Sequence, residues 1–219
     1  RIAWSAQADQ ISPDGSVTFA VELDPRQTRT IDLTVTPIIV GESEPQAKPR
    51  DEALQLLDAS YREWEQASTS VDTDLAVFNR MYRRGMLDLR MLLTDLGHGP
   101  FPVAGLPWYA VPFGRDSLIA ALQMLPANPE VALGTLRTMA VYQGTKVDPW
   151  RDETPGKIMH EIRYGELANT NQIPFTPYYG SVDATPLFLV LAVEYWRWTG
   201  DIESIRGLLP ALERALMWI

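Results

Sequence analysis

The sequence predicts a mainly α fold: an array of paired helices that follows the end of a β domain. Three observations carry this. Between Ser16 and Thr36 apolar residues alternate with polar ones, the period of a strand. From Asp51 to the last residue they recur at helical spacing. The helices are joined by short turns such as Pro126-Ala127-Asn128-Pro129 and Gly200-Asp201, with one long irregular stretch, Gln143 to Val182, among them.

Residues 1–42 read as β. Ser16 to Leu23 and Thr30 to Thr36 alternate and are rich in β-branched side chains, with turns at Pro13-Asp14-Gly15 and Asp24-Pro25-Arg26. A few strands cannot cover both faces of a sheet, so these are expected to be the last strands of a larger β domain. Residues 43–50 are polar, carry two prolines and read as a linker. Residues 51–219 are helical. Asp51–Ala67 sets Leu54, Leu57, Tyr61 and Trp64 on one face. The next helix, with Asp72 or Thr73 as a possible cap, carries a stripe from Leu75 to Leu96 and is stopped by Gly97. A helix over Ser117–Leu125 follows an aromatic loop, and Pro129 opens another, roughly Glu130 to Tyr142. Ala184–Thr199 is apolar nearly all round and is expected to be buried on most sides. The final pattern is still helical at Ile219, and the chain starts at Arg1 without a leader-like run, so both ends are expected to be cuts in a longer protein.

The 219 residues are 46% hydrophobic, enough for a sizeable core, and carry a formal charge of −9. An acidic chain repels phosphate backbones, so nucleic acid is not an expected partner. With no cysteine, disulfides and thiolate metal sites are excluded; this fits a reducing compartment, and a cytoplasmic location is expected. His98 and His160 are the only histidines, which leaves little room for a His-based metal site, and no cofactor is expected. The longest apolar run, Ala184 to Val193, is closed by Glu194 and Arg197, too short for a membrane.

The chemistry is concentrated in two stretches. Gly105 to Asp116 packs Trp108, Tyr109 and Phe113, two prolines, two glycines and the Arg115-Asp116 pair into one irregular segment. Aromatic faces with an Arg-Asp pair suit a sugar ring and its hydroxyls; the competing reading is a plug for a helical core, with Asp116 as an N-cap. The long loop brings His160, Glu161, Arg163 and Glu166 close in sequence, either a polyol-binding cluster or solvated surface charge. Asp183 stands where that loop enters a buried helix. As an N-cap it would accept backbone N–H bonds, the role its spacing favours; as a general acid it would need its pKa raised, by burial or by a second carboxylate.

Three blocks, Ala104-Gly-Leu-Pro-Trp-Tyr-Ala-Val-Pro-Phe-Gly-Arg-Asp116, His160-Glu-Ile-Arg-Tyr-Gly-Glu166 and Tyr178-Tyr-Gly-Ser-Val-Asp-Ala184, occur in an order that resembles the bacterial amylo-α-1,6-glucosidase (glycogen-debranching-type) family of glycoside hydrolases. The resemblance covers most of 51–219. It implies that these residues are the first half of an (α/α)6 toroid and that 1–42 are the tail strands of an N-terminal β-sandwich. It implies hydrolysis of an α-glucosidic linkage in a glycogen-like carbohydrate, with inversion and without cofactor. Asp183 would be the general acid. Trp108, Arg115 and Asp116 would line the subsite of the released sugar, with Phe113 and Tyr179 as walls and Glu161, Arg163 and Glu166 in the same pocket. Family members more often carry Asp-Trp-Gly-Arg-Asp where Val111-Pro112-Phe113 precedes Gly114. Inversion requires a second carboxylate roughly 6.5–9.5 Å from the acid. The family places it late in the barrel, so it is expected beyond Ile219 and residues 1–219 alone are expected to be inactive. Two other readings stand beside the hydrolase: a non-catalytic carbohydrate-binding or scaffold protein on the same frame, and another toroid enzyme such as a polysaccharide lyase. A lyase would want a cationic cluster, which this acidic chain does not display.

Overall fold

A computed structural model describes residues 1–38, 43 and 45–219. Ile39 to Glu42 and Glu44, which include the end of the expected β segment and part of the expected linker, lie outside the described residues. The described chain is mainly helical with a few small strands, and it divides into two compact units, Arg1–Ser60 and Tyr61–Ile219.

In the first unit, β1 (Ile2–Trp4), β2 (Gln10–Ile11), β3 (Val17–Thr18) and β4 (Leu33–Val35) form two antiparallel ladders. β1 pairs with β4, with Ala3 opposite Thr34, and β2 pairs with β3. The Pro13-Asp14-Gly15 turn forms as its residues dictate: Gly15 takes φ 85, and the Asp14 carboxylate accepts the Ser16 N–H at 2.9 Å. The strands are shorter than the alternation predicts. Past Thr18 the Asp9 carboxylate accepts the Ala20 N–H at 2.7 Å, which takes the chain off the ladder. Two-stranded ladders bury little, and Leu33 and Val35 stay exposed. The helix α1 (Arg50–Ala67) begins in this unit, with Asp51 and Glu52 in its first turn.

In the second unit, α1 contributes Trp64, whose Nε1 donates to the Met86 carbonyl at 2.9 Å inside the core. α2 (Ala76–Met91) starts after Leu75, and Asp72 and Thr73 do not cap it. They hold the Asn79 side chain instead, at 2.9 and 2.8 Å. The apolar stripe read as helical to Leu96 leaves the helix earlier, because β5 (Leu93–Asp95) and β6 (Pro100–Pro102) pair as a hairpin. Asp95 Oδ1 accepts the N–H groups of Gly97, His98 and Gly99, and both glycines take positive φ. That local network competes successfully with the helix.

α3 (Gly114–Met124), α4 (Glu130–Val141), the short α5 (Glu166–Asn169), α6 (Ala184–Thr199) and α7 (Ile202–Trp218) complete the chain. α3 packs on α4 and α6, α6 on α7, and α4 on β6. Leu118, Leu136, Met139, Ile158, Met159, Phe188 and Leu191 are fully buried between them. At roughly 1.5–3 kcal/mol per large apolar side chain this cluster is the main stabilising term of the unit. α6 turns at Gly200, and Asp201 caps α7 through the Ser204 N–H at 3.0 Å. Against expectation, α6 is not buried on most sides. Phe188, Leu191, Ala192 and Tyr195 are buried, but Val190, Val193, Trp196 and Trp198 are exposed. Among the described residues α3, α4 and α7 cover one face of α6 and leave the other bare. Among the described residues no helix is long and apolar enough to cross a membrane.

Candidate functional site

The three sequence blocks are woven together through their backbones. The Gly114 N–H donates to the His160 carbonyl at 2.7 Å and the Ile162 N–H to the Pro112 carbonyl at 3.1 Å. The His160 N–H donates to the Tyr178 carbonyl at 2.7 Å, and the Tyr178 N–H to the Glu161 carbonyl at 2.9 Å. Residues 160–162 are therefore a seam, with the start of α3 on one side and the loop leading to α6 on the other. Close approach is what the glycine at 114 permits. A Cβ there would overlap the Met159 carbonyl oxygen and stand 3.2 Å from the Ala184 Cβ. The His160 ring fills the crossing edge-on between Phe113 and Tyr178, each centroid 6.0 Å away.

This weave sets the N-termini of α3 and α6 side by side. α3 begins at Gly114, three residues earlier than its periodicity suggests, so Arg115 and Asp116 stand in its first turn and not on the loop. Asp183 occupies the N-cap position of α6, yet its side chain makes no cap bond. Its backbone carbonyl accepts the Leu187 N–H, and its carboxylate faces Arg115, with Oδ2 at 3.1 Å from the guanidinium. Both side chains remain accessible, at 49% and 40% exposure. The pairing has an electrostatic logic. A cation in the first turn of α3 is unfavourable toward the helix dipole, and the carboxylate beside it compensates. Burial pushes the Asp183 carboxyl up, but hydrogen bonding and charge from Arg115, with Ser181 and its own backbone amide adding to them, hold it below the ordinary carboxylate range. The Ser181 hydroxyl is close enough to favour the charged form, although among the described residues its buried oxygen has no hydrogen-bond partner.

The aromatic loop closes on itself. Gly105 and Tyr109 exchange backbone bonds at 2.9 and 3.1 Å, which sets Leu106, Pro107 and Trp108 at a tip. Trp108 is 80% exposed. Phe113 and Tyr179 are buried, so neither presents a face to solvent as the wall of an open subsite. The Tyr179 hydroxyl donates to the Tyr142 carbonyl at 3.0 Å, and burial, with the Glu153 charge adding to it, pushes that hydroxyl far above its usual range and keeps it a neutral donor. Glu161 is buried and accepts from Arg163 Nε at 2.5 Å. Arg163 also donates to the Trp108 carbonyl at 3.2 Å, and its guanidinium lies over the Tyr109 and Phe113 rings. Asp116 is exposed in the first turn of α3. Glu166 is exposed at the start of α5, on a shallow groove shared with Arg163, Tyr164 and Phe175.

Several residues that hold the site were not distinguishable in the sequence. Gln143 is buried and donates to the Gly156 and Ala211 carbonyls, both at 2.9 Å, while Arg214 donates to its Oε1. Buried Glu153 accepts the Thr145 N–H at 2.9 Å, and buried Thr185 accepts the Ile158 N–H at 2.9 Å through its hydroxyl. These bonds give the long loop a fixed path over α6 and α7. The only sequence signal was that its aromatic content argued against disorder. Among the described residues no group of three or more His, Asp or Glu side chains is placed to hold a metal ion.

No family model matches the chain, and no curated protein matches it.

Proposed function

We propose that this chain is a segment of an inverting glycoside hydrolase of the amylo-α-1,6-glucosidase type, acting in the cytoplasm on an α-glucosidic linkage of a glycogen-like oligo- or polysaccharide. On this reading the helical hairpins belong to the first half of an (α/α)6 toroid, the strands of 1–42 to the tail of a β-sandwich, and the general base lies outside residues 1–219. Asp183 is the general acid. Trp108 supplies an aromatic face for the sugar ring, and Arg115 and Asp116 take its hydroxyls. Phe113 and Tyr179 form the floor behind them.

The observation that supports this reading best is Asp183 itself. It stands at a helix N-cap yet leaves the helix end uncapped, and turns its carboxylate to an accessible guanidinium on a neighbouring helix. A purely structural Asp at that position would accept its own helix N–H groups. The same pairing holds the acid in its charged form when no sugar is bound. A sugar hydroxyl that draws Arg115 away removes the hydrogen bond and the charge that favour the carboxylate. Burial is then opposed only by Ser181 and the Asp183 backbone amide, and the carboxyl moves up from its lowered position.

The test is Asp183→Asn in the protein that carries this chain. Hydrolysis of isomaltose and maltotriose should be lost while their binding, read by calorimetry, survives. Retained hydrolysis would make Asp183 no acid. The lowered carboxyl also favours a second reading, a non-catalytic carbohydrate-binding protein on the same frame. In that case the unsubstituted protein binds these sugars and hydrolyses neither.

A further inference from the structure

We propose that Arg163, seated on the buried Glu161 carboxylate, is the positioning residue that holds the Trp108 loop in place for carbohydrate. The inference rests on the reading of Trp108 as a sugar platform. It also changes the role of the Glu161–Arg163 pair, which holds the loop and does not itself grip sugar.

Three observations converge on the guanidinium. Its Nε is bound to Glu161 Oε2 at 2.5 Å. Its Nη1 donates to the Trp108 carbonyl, 55 residues away in sequence, at 3.2 Å. Its Cζ lies 5.2 Å from the Phe113 centroid and 5.8 Å from that of Tyr109. Arg163 thus holds the loop at its tip and lies over rings on its return arm.

The anchor beneath it is buried and paired through its backbone. Glu161 has 9% of its side chain exposed and bridges Phe113 on one side and Tyr178 on the other through its backbone. A charge so placed needs its partner, so the pair is held together by the cost of leaving the carboxylate unpaired. A fork of several donors suits this double duty, because one edge can serve a carboxylate while another reaches a carbonyl and the face covers a ring. The loop needs such a hold. Among the described residues its own closure is the Gly105–Tyr109 bridge, and Trp108 is largely exposed. A platform held still before the ligand arrives does not lose that freedom on binding.

The test uses two variants. Arg163→Lys keeps a cation for Glu161 but gives up the fork and the flat face; Arg163→Met removes the cation as well. Hydrogen exchange at the Gly105 and Tyr109 amides is expected to accelerate at least tenfold in Arg163→Lys, while Leu118 to Met124 of α3 keeps its protection. Unchanged exchange in this variant overturns the proposal. Should Arg163→Met not fold, Arg163→Lys carries the test alone. A double-mutant cycle gives the second readout, with isomaltose as probe. Trp108→Ala should weaken binding by about tenfold in the unsubstituted protein and by less than twofold in the Arg163→Lys background. Equal losses in both backgrounds would overturn the coupling, since a merely structural Arg163 would leave the Trp108 contribution intact. If Trp108→Ala has no effect in the unsubstituted protein, the sugar reading fails by itself, and the exchange rates still decide whether Arg163 holds the loop.

Discussion

Replacing Gly114 by Ala is expected to loosen the junction on which the whole site depends. The new methyl would overlap the Met159 carbonyl oxygen and press on the Ala184 Cβ at 3.2 Å. The opposing atom is backbone, tied into the seam between α3 and α6, so it cannot rotate away as a side-chain end would. Overpacking of this kind costs about 1–3 kcal/mol. Relief by sliding the start of α3 away would break the 2.7 Å bond from the Gly114 N–H to the His160 carbonyl, about 1 kcal/mol more. The expected loss is therefore about 2–4 kcal/mol, which for a unit of this size lowers its melting temperature by roughly 5–15 °C. Differential scanning calorimetry of the chain, read on the larger transition, measures it. The matching control is Gly85→Ala. Gly85 is exposed in the middle of α2 and a Cβ there meets nothing within 4 Å, so that change should stabilise by about 0.5–1 kcal/mol. If Gly114→Ala melts at or above the temperature of the unsubstituted chain, the close seating of α3 on Met159 and the 160–162 seam is wrong, and so is the placement of Arg115 beside Asp183.

Two further outcomes follow from the same geometry. Arg115→Met should raise the Asp183 pKa, seen as an upward shift of the midpoint in a carbon NMR titration of its carboxyl, because burial then acts unopposed by the guanidinium. A depressed folded pKa contributes stability that is present above the unfolded value and lost as pH falls through the folded one. The unsubstituted chain should therefore lose more stability than Arg115→Met between about pH 4 and pH 2, and added salt should shrink the difference because the pair is half exposed. An unmoved midpoint would mean that Arg115 does not control the acid. Tyr179→Phe removes the hydroxyl that donates to the Tyr142 carbonyl and should cost about 1 kcal/mol of stability in chemical denaturation; no loss would show that this buried bond contributes nothing net.

Local signals explain which parts of the fold were legible. The predicted and observed bounds of α6, Ala184–Thr199, coincide, because it combines a long apolar run with a glycine that accepts φ 70 at its end. The end of α2 differs from expectation because Leu93 and Leu96 continue the helical spacing, and nothing in that spacing reveals that Asp95 binds three backbone N–H groups in succession. The strands of the first unit were read too long for a related reason. Alternation reports a preference for extended chain, but a ladder needs a partner, and Asp9 ends the one available to Thr18.

The candidate site divides along the same line. Residue types and their grouping are visible in the chain order: an aromatic, proline-rich loop with an Arg-Asp pair, a charged cluster at 160–166, and an Asp at the mouth of an apolar helix. It could not choose between cap and exposed carboxylate for Asp183, because both use the same residue at the same position. That choice depends on Arg115, 68 residues away in sequence, and on the seam that sets two helix starts side by side. Nor could spacing separate the charges that face solvent from those that hold the scaffold. Glu161 and Glu166 differ by five positions, yet one is buried beneath Arg163 and the other exposed on a surface groove. Burial and long-range pairing belong to the packed chain, since the free energy of a charge is set by the dielectric and the partners around it.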